Sequence, residues 1–200
     1  AAAPLDGPDR RWLDLCAGPG GKAGLLSALA AGRDARLLAC DAQPHRARLV
    51  ERSVDERAAV AVVDGTEPAW RPGTFDRALV DVPCTGLGAL RRRPEARWRR
   101  SPETVAELGP LQRGLLATAL DSVRPGGVVA YVTCSPHLAE TRVVVDDVLR
   151  DRPEVERLDA PAVLAGVATA PLPDLGAGPY AQFWPHRHGT DAMFLALLRR

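Results

Sequence analysis

The stretch Trp12-Leu13-Asp14-Leu15-Cys16-Ala17-Gly18-Pro19-Gly20-Gly21-Lys22 constrains the fold of this chain more than any other. The apolar run from Trp12 to Leu15 predicts a buried strand. It breaks into a loop with three glycines, and a helical pattern (Ala23, Leu25, Leu26, Ala28, Leu29) opens straight afterwards. Strand, glycine loop and helix in that order build a nucleotide-type pocket. Glycines let the backbone approach a ligand, and the free N–H groups at a helix start attract anionic atoms. The loop alone fits several cofactors.

The rest of the chain repeats the alternation. Apolar runs predict strands at 36–41, 60–63, 75–82, 128–133, 155–158 and 193–198, and helical patterns fall at 44–54, 111–123 and 139–149. Residues 160–182, rich in Pro, Gly and Ala, predict an irregular connection. Strands that are apolar throughout and alternate with helices imply an α/β fold, a mostly parallel seven-stranded sheet covered on both faces. With 200 residues and 46% hydrophobic content, a single domain over 1–200 is expected. The first four strands run out at the glycine loop, Asp41, Asp64 and Asp81, and the fifth at Cys134. Ligands of such sheets bind at the carboxyl ends of the strands, so these residues converge on one crevice.

Composition narrows the chemistry. A net charge of +1 excludes a globally basic polyanion binder, so any nucleic-acid surface must be local. Only Lys22 is lysine, and the other 25 basic residues are arginine, as a GC-rich genome would favour. A lone lysine beside the glycine loop points to a specific role. Cys16, Cys40, Cys84 and Cys134 form no C-x-x-C pair, which argues against a zinc or dithiol site, and no metal is expected. No apolar run is long enough to span a membrane and no signal peptide is evident, so a cytoplasmic location with free thiols is the expectation.

A phosphate-cradling Walker loop needs Gly where Cys16 stands and Ser or Thr where Ala23 stands. The dinucleotide pattern finds Gly18 and Gly20 but again meets Ala23, which leaves NAD a weak match. The acids are more telling. Asp14, Asp64 and Asp81 around the crevice would repel a pyrophosphate. S-adenosylmethionine has no phosphate and carries an ammonium and a sulfonium, and Asp41 suits its ribose.

Three ordered stretches then carry a resemblance. Leu13-Asp14-Leu15-Cys16-Ala17-Gly18-Pro19-Gly20-Gly21-Lys22, Asp81-x-Pro83-Cys84-Thr85-Gly86 and Thr133-Cys134-Ser135 are similar to motifs of the RNA 5-methylcytosine methyltransferases. That family includes the bacterial 16S rRNA methyltransferase B and the Nol1/Nop2/Sun proteins. Pro185-His186-x-His188-Gly189-Thr190-Asp191-x-Met193-Phe194 resembles the family's closing motif, so the likeness runs from Trp12 to the last strand.

The resemblance implies a Rossmann-like class I S-adenosylmethionine-dependent methyltransferase. It would act on carbon 5 of a cytosine in RNA; the bacterial composition and His137 after Ser135-Pro136 favour 16S rRNA as the target, and a monomer is expected. Cys134 would be the nucleophile, adding to carbon 6 so that carbon 5 becomes enamine-like. Cys84 would remove the carbon 5 proton and release product. Asp81 would hydrogen-bond the cytosine, protonated or sharing a proton. Cofactor contacts fall on Cys16, Ala17, Gly18, Pro19, Gly20, Gly21, Lys22, Asp41, Asp64 and Asp81. DNA 5-methylcytosine enzymes supply a rival scheme in which the cysteine of the P-C motif, Cys84, attacks. Two positions depart from the family: Thr141 stands where many relatives have Asn after Glu140, and Ala192 where Gly is common. Relatives carry upstream RNA-binding segments, so the chain resembles the catalytic core of a longer protein, binding cofactor well and methylating poorly alone.

Arg91-Arg92-Arg93-Pro94-Glu95-Ala96-Arg97-Trp98-Arg99-Arg100 follows the Cys84 loop directly. Six arginines and one glutamate make a local charge of about +5. Arg91, Arg92, Arg93 and Arg97 would hold phosphates, with Trp98 either stacking on a base or packing into the core. Competing readings are an RNA-binding module that has lost catalysis, and a methyltransferase acting on tRNA or another substrate.

Overall fold

Strand β1 (Arg11–Asp14) lies between two parallel neighbours, β2 (Arg36–Asp41) and β4 (Phe75–Asp81), in the computed structural model. The structure describes residues 3, 5, 7–176 and 178–200. Residues 1, 2, 4 and 6 of the expected domain and residue 177 of the expected irregular connection lie outside the described residues. Strand β3 (Ala58–Val62) pairs with β2, and β5 (Val123–Thr133) with β4, both in parallel. The far edge is antiparallel, where β8 (Phe194–Arg199) runs between β5 and β6 (Glu156–Leu158). The order is therefore β3-β2-β1-β4-β5-β8-β6. Chain direction along the sheet reverses between β1 and β4, the switch point at which such folds open a ligand crevice.

Side-chain alternation explains the layers. Along β1, Leu13 points to one face and Trp12 to the other. Leu13 joins Val80, Tyr131 and Phe194 under α3 (Pro102–Ser122) and α4 (Arg142–Leu149), which contribute Leu116, Leu120, Val144 and Val145. Trp12 joins Leu37 and Ala39 under α1 (Gly21–Ala31) and α2 (Pro44–Glu51), through Ala23, Ala30 and Val50. Buried Asp76 stitches three strands together: it accepts from the N–H groups of Arg10 and Arg11 at 2.8 and 2.9 Å and from Arg124 Nε at 2.8 Å.

Three expectations need correction. The sheet has eight strands rather than seven, because β7 (Ala181–Gln182) adds a short antiparallel pairing to β8. The connection 160–182 is not wholly irregular, since it holds that strand and α5 (Ala160–Ala165), whose N-terminus is capped by the Asp159 carboxylate on Ala162 N–H. The long helix begins at Pro102, not at Leu111. Pro102 fills the first helical position, where no N–H is needed, and Thr104 Oγ1 accepts from Ser101 N–H at 3.4 Å. The polar turns before Leu111 hid this start.

Candidate active site

A cleft of about 720 Å³ opens at the carboxyl ends of β1, β2, β4 and β5. It is lined by Cys16, Gly18, Pro19 and Lys22 of the glycine loop, then by Asp41, Asp64 and Asp81 from the next three strand ends, and by Cys84 and Cys134. Ala17, Gly20 and Gly21, expected as cofactor contacts, do not line it. Gly20 instead makes the turn into α1, at a φ of 118° that side chains rarely adopt. Asp41 Oδ2 accepts from Gly18 N–H at 3.1 Å and Oδ1 from Gln43 N–H at 2.9 Å, so the acid of the second strand holds the glycine loop in place. Arg46 on α2 pairs with Asp41 at 3.1 Å and donates to the Gly18 carbonyl.

Asp14 is fully buried just before the lining residues, and neither carboxylate oxygen has a full hydrogen-bond partner. Burial, reinforced by the negative charge of Asp81, raises its pKa to about 7. An uncompensated acid at this point suits a ligand that brings positive charge. Lys22 Nζ lies 2.6 Å from Asp81 Oδ2, which pairs the only lysine of the sequence with the acid at the end of β4.

The two thiols meet. Parallel pairing sets Asp81 opposite Val132, and the Val82 N–H to Val132 carbonyl bond (3.0 Å) extends the ladder by one step. The loops after β4 and β5 therefore leave side by side, and Cys84 Sγ lies 3.2 Å from Cys134 Sγ. A short helical turn, Leu87–Ala89, fixes the first loop to the second. Gly88 N–H donates to the Cys134 carbonyl and the Gly88 carbonyl accepts from Ala192 N–H, both at 2.9 Å. The thiols polarise each other. The hydrogen bond from Cys84 lowers the Cys134 pKa to about 7, and the same contact raises that of Cys84. Cys16 and Cys40 are pushed up by burial and nearby carboxylates, Cys40 to about 12, as inert structural thiols should be. All four are free. Alkylation of Cys134 by iodoacetamide should therefore rise with pH through about 7 and level off above it. Cys84→Ala should move that midpoint up towards the ordinary thiol range, read by mass spectrometry of the Cys134 peptide.

The arginine segment divides in two. Arg92 and Arg93 line the cleft together with Arg100. Asp191 of the closing motif holds Arg91 at 2.9 Å and grips Arg92 through two guanidinium nitrogens. Arg97 and Trp98 do not line the cleft. Trp98 is 77% exposed, with the Arg97 guanidinium 4.5 Å from its ring centroid, so it does not pack into the core. Arg46, Arg100 and Asp191 are site residues missed as such by sequence reasoning. Asp191 had a signal, as an acid in the closing motif with six arginines upstream. Arg46 had none, being one of 25 arginines on an ordinary helix. Among the described residues no group of three or more His, Cys, Asp or Glu is placed to hold a metal, and no helix is long and apolar enough to cross a membrane.

Sheet order, a cleft at the β1/β4 switch point and a mouth lined with carboxylates are those of a Rossmann-like S-adenosylmethionine-dependent methyltransferase. Residues 4–199 match the family profile of the 16S rRNA methyltransferase RsmB/F, and the chain belongs to that family. Rv1407 of Mycobacterium tuberculosis is 56% identical over 199 residues, covering 99% of this chain and 42% of the relative. The ribosomal RNA small subunit methyltransferase B of Sodalis glossinidius is 38% identical over 174 residues, 83% of this chain and 39% of that protein. Among solved structures, NSun6 from Pyrococcus horikoshii superposes with a TM-score of 0.79 at 25% identity, over 96% of this chain and 48% of that one. The chain thus spans less than half the length of these relatives.

Proposed function

We propose that this chain methylates carbon 5 of a cytosine in RNA, with 16S rRNA as the substrate, through a covalent adduct on Cys134. The observation that carries the reading is the 3.2 Å thiol pair in the same cleft as the Lys22–Asp81 ion pair. The cleft suits S-adenosylmethionine, because Asp41, Asp64 and Asp81 line it and would receive the cofactor's hydroxyl and ammonium donors. When bound, that cofactor supplies an electrophilic methyl group.

The protein's own residues do the rest. Cys134, with its pKa lowered to about 7, supplies thiolate at neutral pH. Its sulfur forms a bond to carbon 6 while the Lys22–Asp81 pair supplies a proton to the ring, and electron density moves to carbon 5. Once Cys134 is a thioether it no longer carries the negative charge that keeps Cys84 protonated. Cys84 then loses its proton to solvent and takes the one on methylated carbon 5. As that carbon–hydrogen bond breaks, the ring double bond reforms, the carbon 6–sulfur bond cleaves to return Cys134 as thiolate, and the ring gives its proton back to the Lys22–Asp81 pair. One contact thus arms Cys134 first and Cys84 second.

The test is transfer of an isotopically labelled methyl group to 16S rRNA, followed by digestion and nucleoside mass spectrometry. Label in 5-methylcytidine supports the reading, and label in any other nucleoside overturns it. Arg92 and Arg93 line the cleft and would meet the RNA backbone there. Arg92→Glu/Arg93→Glu should weaken RNA binding and flatten the slope of log affinity against log salt by about 1.4, as loss of two phosphate contacts to a single strand predicts. A slope equal to that of the unmodified protein would remove both residues from the RNA path.

A further inference from the structure

The residue that follows Cys84 is held by a carboxylate from the other thiol's loop. Glu140 lies in a short helical turn, Leu138–Glu140, six residues after Cys134, and is fully buried. Its Oε1 accepts from Thr85 N–H at 2.8 Å and from Gln112 Nε2 at 3.1 Å, and its Oε2 from Thr85 Oγ1 at 2.5 Å. The same Gln112 amide donates to the Pro83 carbonyl at 2.8 Å, and Arg100 Nε to the Thr85 carbonyl at 2.8 Å. Glu140 itself is anchored, since its carbonyl accepts from the buried Tyr131 hydroxyl at 2.8 Å.

The residues on both sides of Cys84 are thus fixed, and the carboxylate is the hub that joins them to the Cys134 loop. A buried carboxylate with three donors carries charge-assisted hydrogen bonds, the stronger kind, which hold their partners to a narrow geometry. Glu140, Gln112 and Thr85 are absent from the lining of the cleft, whereas Pro83 and Arg100, which they hold, belong to it.

We propose that Glu140 is a positioning residue for Cys84: its carboxylate clamps the Pro83–Thr85 segment and thereby sets the separation of the two thiols. The part of this inference that concerns turnover rests on the role proposed above for Cys84 in releasing product. The clamp itself does not.

The test has two arms, run on the intact protein. The first is ligand-free and independent of the reaction. Diamide takes two electrons and two protons from neighbouring thiols, forms the Cys84–Cys134 disulfide and is itself reduced to the hydrazine, so its rate reads thiol juxtaposition. Glu140→Ala should slow that oxidation at least about tenfold, in line with the penalty for misplacing reacting atoms by about 1 Å. Glu140→Gln, which keeps an acceptor for Thr85 N–H, should recover part of the rate. Thr85→Val, which removes only the hydroxyl bond, should show a smaller slowing and carries the test if Glu140→Ala does not fold. The second arm follows turnover on RNA: Glu140→Ala should bind S-adenosylmethionine as before and accumulate RNA bound through Cys134.

Unchanged disulfide formation in Glu140→Ala and Thr85→Val overturns the clamp. Slower disulfide formation without adduct accumulation upholds the clamp and overturns the release role of Cys84.

Discussion

Cys134→Ala should lower methyl transfer by a factor of about a thousand or more while leaving cofactor affinity intact, because it removes the proposed nucleophile. The geometry makes this a sharp expectation. The two thiols lie 3.2 Å apart, and their contact lowers the pKa of Cys134 while raising that of Cys84, so Cys134 is the thiol expected as thiolate. Alanine at 134 leaves the Lys22–Asp81 pair and the carboxylates of Asp41 and Asp64 where they are. Isothermal titration with S-adenosylmethionine beside a methyl-transfer assay separates the two effects. A comparable loss of cofactor affinity would mean that Cys134 serves the cofactor end of the cleft instead.

Gly88→Ala should be strongly damaging. A Cβ at this position would lie 2.0 Å from the Ala192 carbonyl oxygen and 2.7 Å from that of Cys134. Both obstacles are backbone, and both belong to the residues, Cys134 and Ala192, to which Gly88 is hydrogen-bonded. The backbone has to part, so the cost should reach about 3 kcal/mol, the upper part of the range for overpacking. In a chain of this size that lowers Tm by about 6–12 °C, readable by calorimetry. Separation of the loops should also abolish turnover. A Tm within a degree of the unmodified protein would show that this junction is looser than its geometry.

Much of the fold was legible in the sequence because buried parallel strands are apolar without interruption and glycine loops punctuate them. Trp12 to Leu15 and Arg36 to Asp41 needed no structure to be read. What escaped detection lacks periodicity: a two-residue strand at Ala181–Gln182, and a helix start at Pro102 whose first turns are polar. The candidate site shows the same divide. Residues that sit at strand ends (Asp41, Asp81, Cys84, Cys134) could be placed by the rule that ligands gather there, and they do line one cleft. Residues whose role comes from reaching across space could not. Asp191 finds Arg92 from 99 positions away, and Glu140 finds Thr85 from 55. Neither separation leaves a trace in local sequence. Trp98 illustrates the opposite failure, since a large apolar residue among arginines reads equally as core or as surface, and only its exposure decides.

The direction of the reaction through the two thiols is the central claim, and trapping tests it most directly. Cys84→Ala incubated with S-adenosylmethionine and 16S rRNA should accumulate an RNA–protein species that survives denaturing electrophoresis, because the adduct forms on Cys134 but the carbon 5 proton has no base. Digestion and mass spectrometry should find the nucleotide on the peptide containing Cys134. A covalent species that instead forms in Cys134→Ala, with the nucleotide on Cys84, would contradict the account.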